Sequence, residues 1–244
     1  MPSYVSFPHI AALAEHAASL LAKACHDAVA SRNACRIAIS GGTTPIALFR
    51  LLATATWAHR LPWEKTTIFW ADERCVPPHD PQSNYGVAKR ELLDHIPARF
   101  QRMQGELPPA QAAAAYEQTL REEFCLAPGA LPRFDLVLLG MGADGHTASL
   151  FPGTTALAER ERLAVANHVP KLETWRITLT LPVLNNARAC VFLVAGQDKQ
   201  PALAQILASK DEADTSALPA GMVRPDAGDL VWLVDAAAAG TTAA

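Results

Sequence analysis

Short apolar runs alternate along the chain with longer segments whose apolar residues recur every three or four positions. The short runs predict β-strands at 36–40, 66–71, 134–139, 176–181, 189–196 and 230–234. The helical spacing predicts helices at 9–31, 45–54, 85–96, 109–124 and 198–209. Strands that alternate with helices over the whole length predict an α/β fold of three layers, with a mostly parallel sheet in the middle.

The spacing of these elements predicts a single domain. No internal repeat and no linker divides the chain, so we expect one domain over 1–244, with its core at about 9–235. A proline-rich loop, PPHDPQSN, is predicted at 77–84. Within the helix at 45–54, Pro45 occupies a favoured first-turn position, and Thr44 is the expected N-cap.

Four of the predicted strands end in polar or glycine-rich residues. In parallel sheets of this kind, ligands bind beyond the carboxyl ends of the strands, near a topological switch point. The first of the four ends is SGGTTP at 40–45. Its glycines allow close approach of the backbone, and the helix that follows directs unpaired N–H groups at the loop. A phosphate cradle and an ordinary strand-to-helix turn both fit this segment, which is neither a Walker motif nor GxGxxG.

The second end is ADERCVP at 71–77. A cluster such as Asp72, Glu73 and Arg74 is more often a solvated turn, and the spacing slightly favours that interpretation. Arg74 is the alternative functional residue, because a guanidinium binds phosphate or carboxylate through two hydrogen bonds.

The third end is GADGHTAS at 142–149, which follows the apolar run at 134–139. His146 is a candidate general base, and Asp144 a candidate to orient it or to stabilise its cation. No second histidine lies at helical spacing for a metal site, and no GxSxG marks a serine nucleophile. The interpretation of this segment as a simple glycine-rich turn stays open. The other seven histidines lie on predicted helices or in loops and are not assigned a function.

The fourth end is VAGQDKQPAL at 194–203, with Lys199 at the start of a helix. An exposed lysine is the ordinary interpretation. If the loop at 40–45 holds a phosphate, a lysine from a neighbouring strand end completes its charge.

Composition restricts the classes of partner. The 21 basic and 24 acidic side chains give a formal charge of −3, which argues against nucleic acid as the main partner. No apolar stretch reaches the roughly 18 residues of a membrane span, and the first residues lack the basic and apolar regions of a secretory signal. The five cysteines are scattered without a CxxC pair, so we expect neither disulfides nor zinc, and a cytoplasmic location. Without heptads or an obvious apolar patch, a monomer is the default expectation.

Five motifs, in this order and spacing, resemble those of the 6-phosphogluconolactonases. They are ISGGTTP, FWADERCVP with SNYGVAKRELL, FDLVLLGMGADGHTASLFPG, RITLTLPVLNNA and VAGQDKQPAL. The resemblance implies a Rossmann-like fold of the glucosamine-6-phosphate deaminase type. It also implies hydrolysis of a phosphosugar lactone in the oxidative pentose phosphate pathway, without metal or cofactor.

The resemblance also implies roles for individual residues. His146 matches the catalytic histidine of the family, with Asp144 beside it. The remaining matches are expected to bind substrate: Gly41, Gly42 and Thr43 on the phosphate side, then Asp72, Arg74, Arg176 and Lys199. The role of Asp144 is open between orienting the imidazole, contacting substrate and capping the turn, and that of Arg176 is not specified.

Two alternatives remain. The amino-sugar phosphate deaminases share the glycine loop and the Gly-x-Asp-Gly-His element, but carry a glutamate five residues after the histidine, where this chain has Phe151. They also carry an aromatic residue at the position of Arg74. A non-catalytic phosphosugar sensor is the second alternative; it is disfavoured because no helix-turn-helix segment precedes the sheet and no basic surface is evident.

Overall fold

Seven parallel strands form the central sheet in the computed structural model, which describes residues 4–209 and 217–241. Numbered in chain order across both sheets, these strands are β1 (Tyr4–Phe7), β2 (Cys35–Ile39), β3 (Thr66–Trp70), β5 (Arg99–Gln101), β6 (Leu136–Gly140), β9 (Ala189–Val194) and β10 (Asp229–Asp235). Their spatial order is β1-β10-β9-β6-β2-β3-β5, and every neighbouring pair is parallel. The predicted α/β fold with a mostly parallel sheet is confirmed.

A second, three-stranded sheet was not predicted. It consists of β4 (Asp72–Arg74), β7 (Ala164–Val169) and β8 (Thr174–Leu179), in the antiparallel order β4-β8-β7. The apolar run at 176–181 therefore belongs to this small sheet rather than to the central one. The chain leaves the central sheet at Ala71, whose N–H donates to Ile39 O (2.8 Å) and whose carbonyl accepts from Leu179 N (2.8 Å).

The helices lie between the strands. They are α1 (Ile10–Arg32), α2 (Thr43–Leu52), α3 (Ala55–Ala58), α4 (Asn84–Glu91), α5 (Pro109–Glu123), α6 (Leu181–Asn185) and α7 (Gln200–Ala208), with a short helix at Ala236–Ala239. The helix predicted at 85–96 ends at Glu91, and a 3-10 turn (Leu93–His95) follows. The prediction of Thr44 as an N-cap is wrong, because the positive φ of Gly42 (113°) completes the turn and the helix begins at Thr43.

The central strands are largely buried because helices cover both faces of a parallel sheet. All five residues of β3 are buried. On opposite faces of this strand, Phe69 packs edge-on against Phe134 (5.3 Å) and Trp70 packs against Tyr85 (5.6 Å). Most of the buried apolar side chains form one continuous core. No helix within 4–209 or 217–241 is both long and apolar enough to cross a bilayer.

The strand order brings the four polar strand ends together. Strands β9, β6, β2 and β3 are consecutive neighbours at the centre of the sheet. From β2 the chain proceeds to β3 and β5 on one side, and from β6 to β9 and β10 on the other. The connections after β2 and β6 thus diverge, and this divergence opens the crevice in which such sheets bind ligands.

Candidate active site

The glycine loop after β2 forms one wall of this crevice. A Cβ on Gly41 would lie 1.8 Å from Oδ1 of Asn84, so the backbone there is approached too closely for any larger residue. Helix α2 starts immediately afterwards without a side-chain N-cap, which leaves its first N–H groups available to an anion. The Ser40 hydroxyl, buried beside this loop, has no hydrogen-bond partner among the described residues.

The three residues of β4 divide between two faces of their strand. Because side chains alternate along a strand, Asp72 and Arg74 share a face and Glu73 points the other way. Glu73 is buried and accepts hydrogen bonds from Asn84 N (2.7 Å), Tyr85 N (2.8 Å) and the Ser83 hydroxyl (3.1 Å) at the start of α4. Its burial raises the pKa of the carboxyl, against the opposing effect of these backbone donors. The interpretation of DER as a solvated turn is therefore wrong: two of its residues are buried, and Glu73 anchors α4.

Asp72 lies at the base of the crevice and is only 5% exposed. Its Oδ2 accepts a hydrogen bond from the Ser149 hydroxyl at 2.7 Å. Ser149, just beyond the GADGH turn, therefore ties the turn after β6 to β4. Its own carbonyl accepts from Asn167 Nδ2 (2.9 Å) in the second sheet.

The loop after β6 holds His146 in a tight turn. Gly145 takes a positive φ of 75°, and Gly142 N donates to His146 O at 2.9 Å. The His146 ring lies directly over Gly142, where a Cβ would come within 2.1 Å of the imidazole Nδ1 and Cε1 atoms. Gly142 is thus required for the place of the ring, and Gly145 for the turn of the chain.

Asp144 contacts this histidine at two points. Its Oδ1 accepts from His146 Nδ1 at 2.5 Å and from His146 N at 3.2 Å. A proton on Nδ1 directed at the carboxylate leaves Nε2 with a free lone pair, and Nε2 makes no hydrogen bond to any residue in the described ranges. On its face, the imidazole stacks on Phe151, with ring centroids 4.1 Å apart and planes inclined by 21°.

Burial lowers the pKa of His146 to about 4. Asp72 acts in the opposite direction and raises it, whereas the positive charges of Lys199, Arg74 and Arg176 lower it further. The Asp144 carboxylate also favours the cation, but the imidazole is neutral at pH 7 and has the protonation state of a base.

Three cations surround the crevice. Arg74 and Arg176 face each other across β4 and β8, where they form a directly opposed cross-strand pair. Arg74 donates to Gln82 O at 2.6 Å, and Lys199 pairs with its neighbour Asp198. Burial, and then the neighbouring Arg74, lower the pKa of Arg176. Like charges in a partly buried site repel one another, so an anionic ligand would relieve this repulsion.

A cavity of about 210 Å³ occupies the crevice. Seven of the nine predicted site residues line it: Gly41, Gly42, Thr43, Asp72, Arg74, His146 and Lys199. The other two adjoin it, since Asp144 lies behind His146 and Arg176 lies beside Arg74. The structure therefore gathers all nine, although their roles remain predictions.

Two neighbours of the site were not predicted: Ser149, which contacts Asp72, and Lys171, which contacts Asp144. Ser40, the first residue of the predicted SGGTTP segment, lines the cavity. No sequence signal points to Lys171, which lies in a 3-10 turn far along the chain from Asp144. Ser149 belongs to the GADGHTAS segment, but only the fold reveals its partner. Within the described residues, no group of three histidine, cysteine, aspartate or glutamate side chains is arranged to hold a metal ion.

Comparison with known proteins identifies related sequences and structures. The family model for glucosamine-6-phosphate isomerases/6-phosphogluconolactonase matches residues 8–232. A 6-phosphogluconolactonase of Nostoc sp. is 42% identical over 235 residues, which cover 95% of this chain and 94% of that protein.

Solved structures of the same kinds of protein superimpose on this chain. The 6-phosphogluconolactonase of Trypanosoma cruzi superimposes with a TM-score of 0.86 at 29% identity, covering 98% of this chain and 96% of that one. A monomeric glucosamine-6-phosphate deaminase superimposes with a TM-score of 0.76 at 20% identity, over 98% of this chain and 99% of the deaminase. At that identity the likeness concerns the fold alone.

Proposed function

This chain belongs to the glucosamine-6-phosphate isomerase/6-phosphogluconolactonase family, and we propose that His146 acts in it as the general base of lactone hydrolysis. The chain is a lactone hydrolase, related at 34–44% identity to curated 6-phosphogluconolactonases. Its proposed substrate is 6-phospho-D-glucono-1,5-lactone, and the product is 6-phospho-D-gluconate.

The observation that carries the proposal is the orientation of His146. Its Nδ1 is bound to Asp144, while the ring lines a cavity that also contains the glycine loop and Lys199. A neutral imidazole with a free Nε2 can take a proton from water as the water attacks the C1 carbonyl. The imidazolium then returns this proton to the ring oxygen when the C1–O bond breaks. A δ-lactone is an activated ester, so this step needs no covalent nucleophile.

The cations of the site face two negatively charged groups during the reaction. The phosphate is charged throughout, and the tetrahedral oxyanion develops at C1 as water attacks. We assign the glycine loop and Lys199 to the phosphate side, and Arg74 with Arg176 to the remaining negative charge. Gripping the distant phosphate holds the lactone carbonyl near His146 and thereby supplies positioning.

Bound substrate also changes the basicity of His146. The positive charges that lower its pKa in the free protein, Lys199 first among them, are partly offset when a phosphate dianion binds beside Lys199. The pKa of His146 therefore rises in the complex, toward the value at which a general base is most effective.

The main alternative is the deaminase-isomerase reaction, which moves a proton between C1 and C2 and needs further acid-base groups. Phe151 stands where the deaminases carry a glutamate, and it is 5% exposed and stacked on His146. Its phenyl ring has no proton to transfer.

A side-by-side assay tests the proposal. We expect rapid acid release from 6-phosphogluconolactone, above the spontaneous rate, and no ammonia from glucosamine 6-phosphate. Ammonia release at a comparable rate would contradict the proposal, and the absence of both reactions would favour a non-catalytic sensor.

The same proposal extends to assembly and location. We propose a single-domain monomer that acts in the cytoplasm on a small phosphosugar, without nucleic acid. Light scattering of the purified protein at micromolar concentration tests the monomer: a mass near 26.1 kDa is expected, and twice that mass would contradict it.

A further inference from the structure

Lys171 contacts both side chains that pack against the His146 ring, Asp144 and Phe151. It lies in the 3-10 turn Pro170–Leu172, at the tip of the hairpin that joins β7 to β8. From there its ammonium reaches two groups that both touch the catalytic ring, Asp144 and Phe151. Lys171 itself is not among the residues that line the cavity.

The first contact concerns the far oxygen of Asp144. Oδ1 of this carboxylate binds His146 Nδ1, whereas Oδ2 forms an ion pair with Lys171 Nζ. The carboxylate is therefore held at both oxygens, and rotation about its Cβ–Cγ bond would break both contacts. Without the ion pair, the carboxylate would be held only at Oδ1, by the Nδ1 and the backbone N–H of His146, and its second oxygen would be free to move.

The second contact concerns Phe151. The Lys171 ammonium lies 5.0 Å from the centroid of this ring, in the geometry of a cation–π interaction. Phe151 in turn stacks on His146. One lysine thus supports both the edge of the imidazole, through Asp144, and its face, through Phe151.

We propose that Lys171 is a positioning residue for the lactonase reaction, which fixes the plane and the tautomer of His146 through Asp144 and Phe151. The inference rests on the proposed role of His146 as general base. An exposed ion pair contributes little to stability, and Lys171 is 51% exposed, so its contribution concerns geometry and charge at the histidine rather than folding.

The charge of Lys171 acts on a histidine that is already surrounded by charged groups. Asp144 contacts the ring from its own loop, Asp72 and Arg74 face it from β4, Arg176 from β8, and Lys199 from the turn before α7. Lys171 partly neutralises Asp144, the carboxylate nearest the ring. Removing this lysine leaves Asp144 uncompensated, which favours the imidazolium.

The test compares Lys171→Met and Lys171→Arg with the wild type and with Lys65→Met. The methionine keeps much of the side-chain length without the charge. Lys65 is the matched control, because it precedes β3 at the amino end of that strand, away from the cavity, and its ammonium bonds Asn33 Oδ1. For Lys171→Met we expect kcat to fall about tenfold and KM to change less than twofold, since positioning acts on the chemical step. The acid limb of kcat/KM should move up by about 0.5–1 pH unit, because His146 becomes easier to protonate.

Lys171→Arg restores the cation and should recover most of the loss, whereas Lys65→Met should match the wild type in every readout. An NMR titration of ¹⁵N-labelled histidine follows the ring directly, with the His146 signals assigned by their absence in His146→Gln. In Lys171→Met the His146 titration should shift to higher pH, and the Nδ1–H tautomer should lose population.

Unchanged kcat, acid limb and His146 titration in Lys171→Met would overturn the proposal. A rise in KM with unchanged kcat would also overturn it, because Lys171 would then bind substrate. The role of His146 is tested separately: if His146→Ala keeps its activity, the general-base assignment fails, while the NMR titration still reports whether Lys171 orients the ring.

Discussion

Replacing Gly142 by alanine should displace the catalytic ring while keeping every polar and titratable group of the site. The new Cβ would lie 2.1 Å from Nδ1 and Cε1 of His146 and 2.9 Å from Oδ1 of Asp144. To restore an ordinary contact of at least 3.4 Å, the ring must move by about 1.3 Å, and a shift of about 1 Å costs on the order of 100-fold in rate. We therefore expect Gly142→Ala to lower kcat about 100-fold, or about 2.7 kcal/mol in activation free energy.

The assay measures 6-phosphogluconate formation from freshly prepared lactone, corrected for spontaneous hydrolysis. Gly129→Ala is the control: Gly129 has a positive φ of 77°, but a Cβ there would meet nothing within 4 Å. It should lose about 1–2 kcal/mol of stability from backbone strain and keep its kcat. Gly142→Ala with the kcat of the wild type would refute the argument, because the ring would not need its place over this glycine.

Three further outcomes follow from the site. The acid limb of kcat/KM should lie near pH 4, because His146 must be neutral to act and burial lowers its pKa to about 4. The acid limb of kcat should lie at higher pH, since bound phosphate offsets the cations. An acid limb of kcat/KM above pH 6 would contradict this. Lys199→Ala should chiefly raise KM for the phosphorylated lactone, about 10-fold or more, and an unchanged KM would return Lys199 to the exposed surface. Glu73→Gln should lower the free energy of unfolding by about 2–3 kcal/mol, because an amide cannot accept all the hydrogen bonds at the start of α4; urea denaturation measures this, and an unchanged midpoint would contradict it.

The central strands could be predicted because a parallel sheet covered on both faces produces continuous apolar runs. The strands β1 and β5 were not predicted: each is short and largely exposed at an edge of the sheet, so neither leaves an apolar run. The apolar run of β8 was recognised, but its pairing was not. An apolar strand carries no mark of the sheet to which it belongs, and only the fold shows that it pairs with β4.

The candidate site, like the fold, could be predicted only in part from the sequence. The Asp144–His146 contact is local, between residues two apart, so the sequence could suggest it. The meeting of the four strand ends followed from the general behaviour of parallel sheets. The ion pair of Lys171 with Asp144 could not be predicted, because it depends on where a hairpin tip comes to lie. The three residues of β4 were too few to show the alternation that buries Glu73 and turns Arg74 toward the cavity.

The most direct test of the proposed mechanism is the turnover of 6-phosphogluconolactone by His146→Ala. Removing a general base costs about 100- to 10,000-fold, so we expect kcat to fall by about that factor, with an unchanged fold by circular dichroism and little change in KM. Near-normal turnover by a correctly folded His146→Ala variant would contradict general-base catalysis by this histidine.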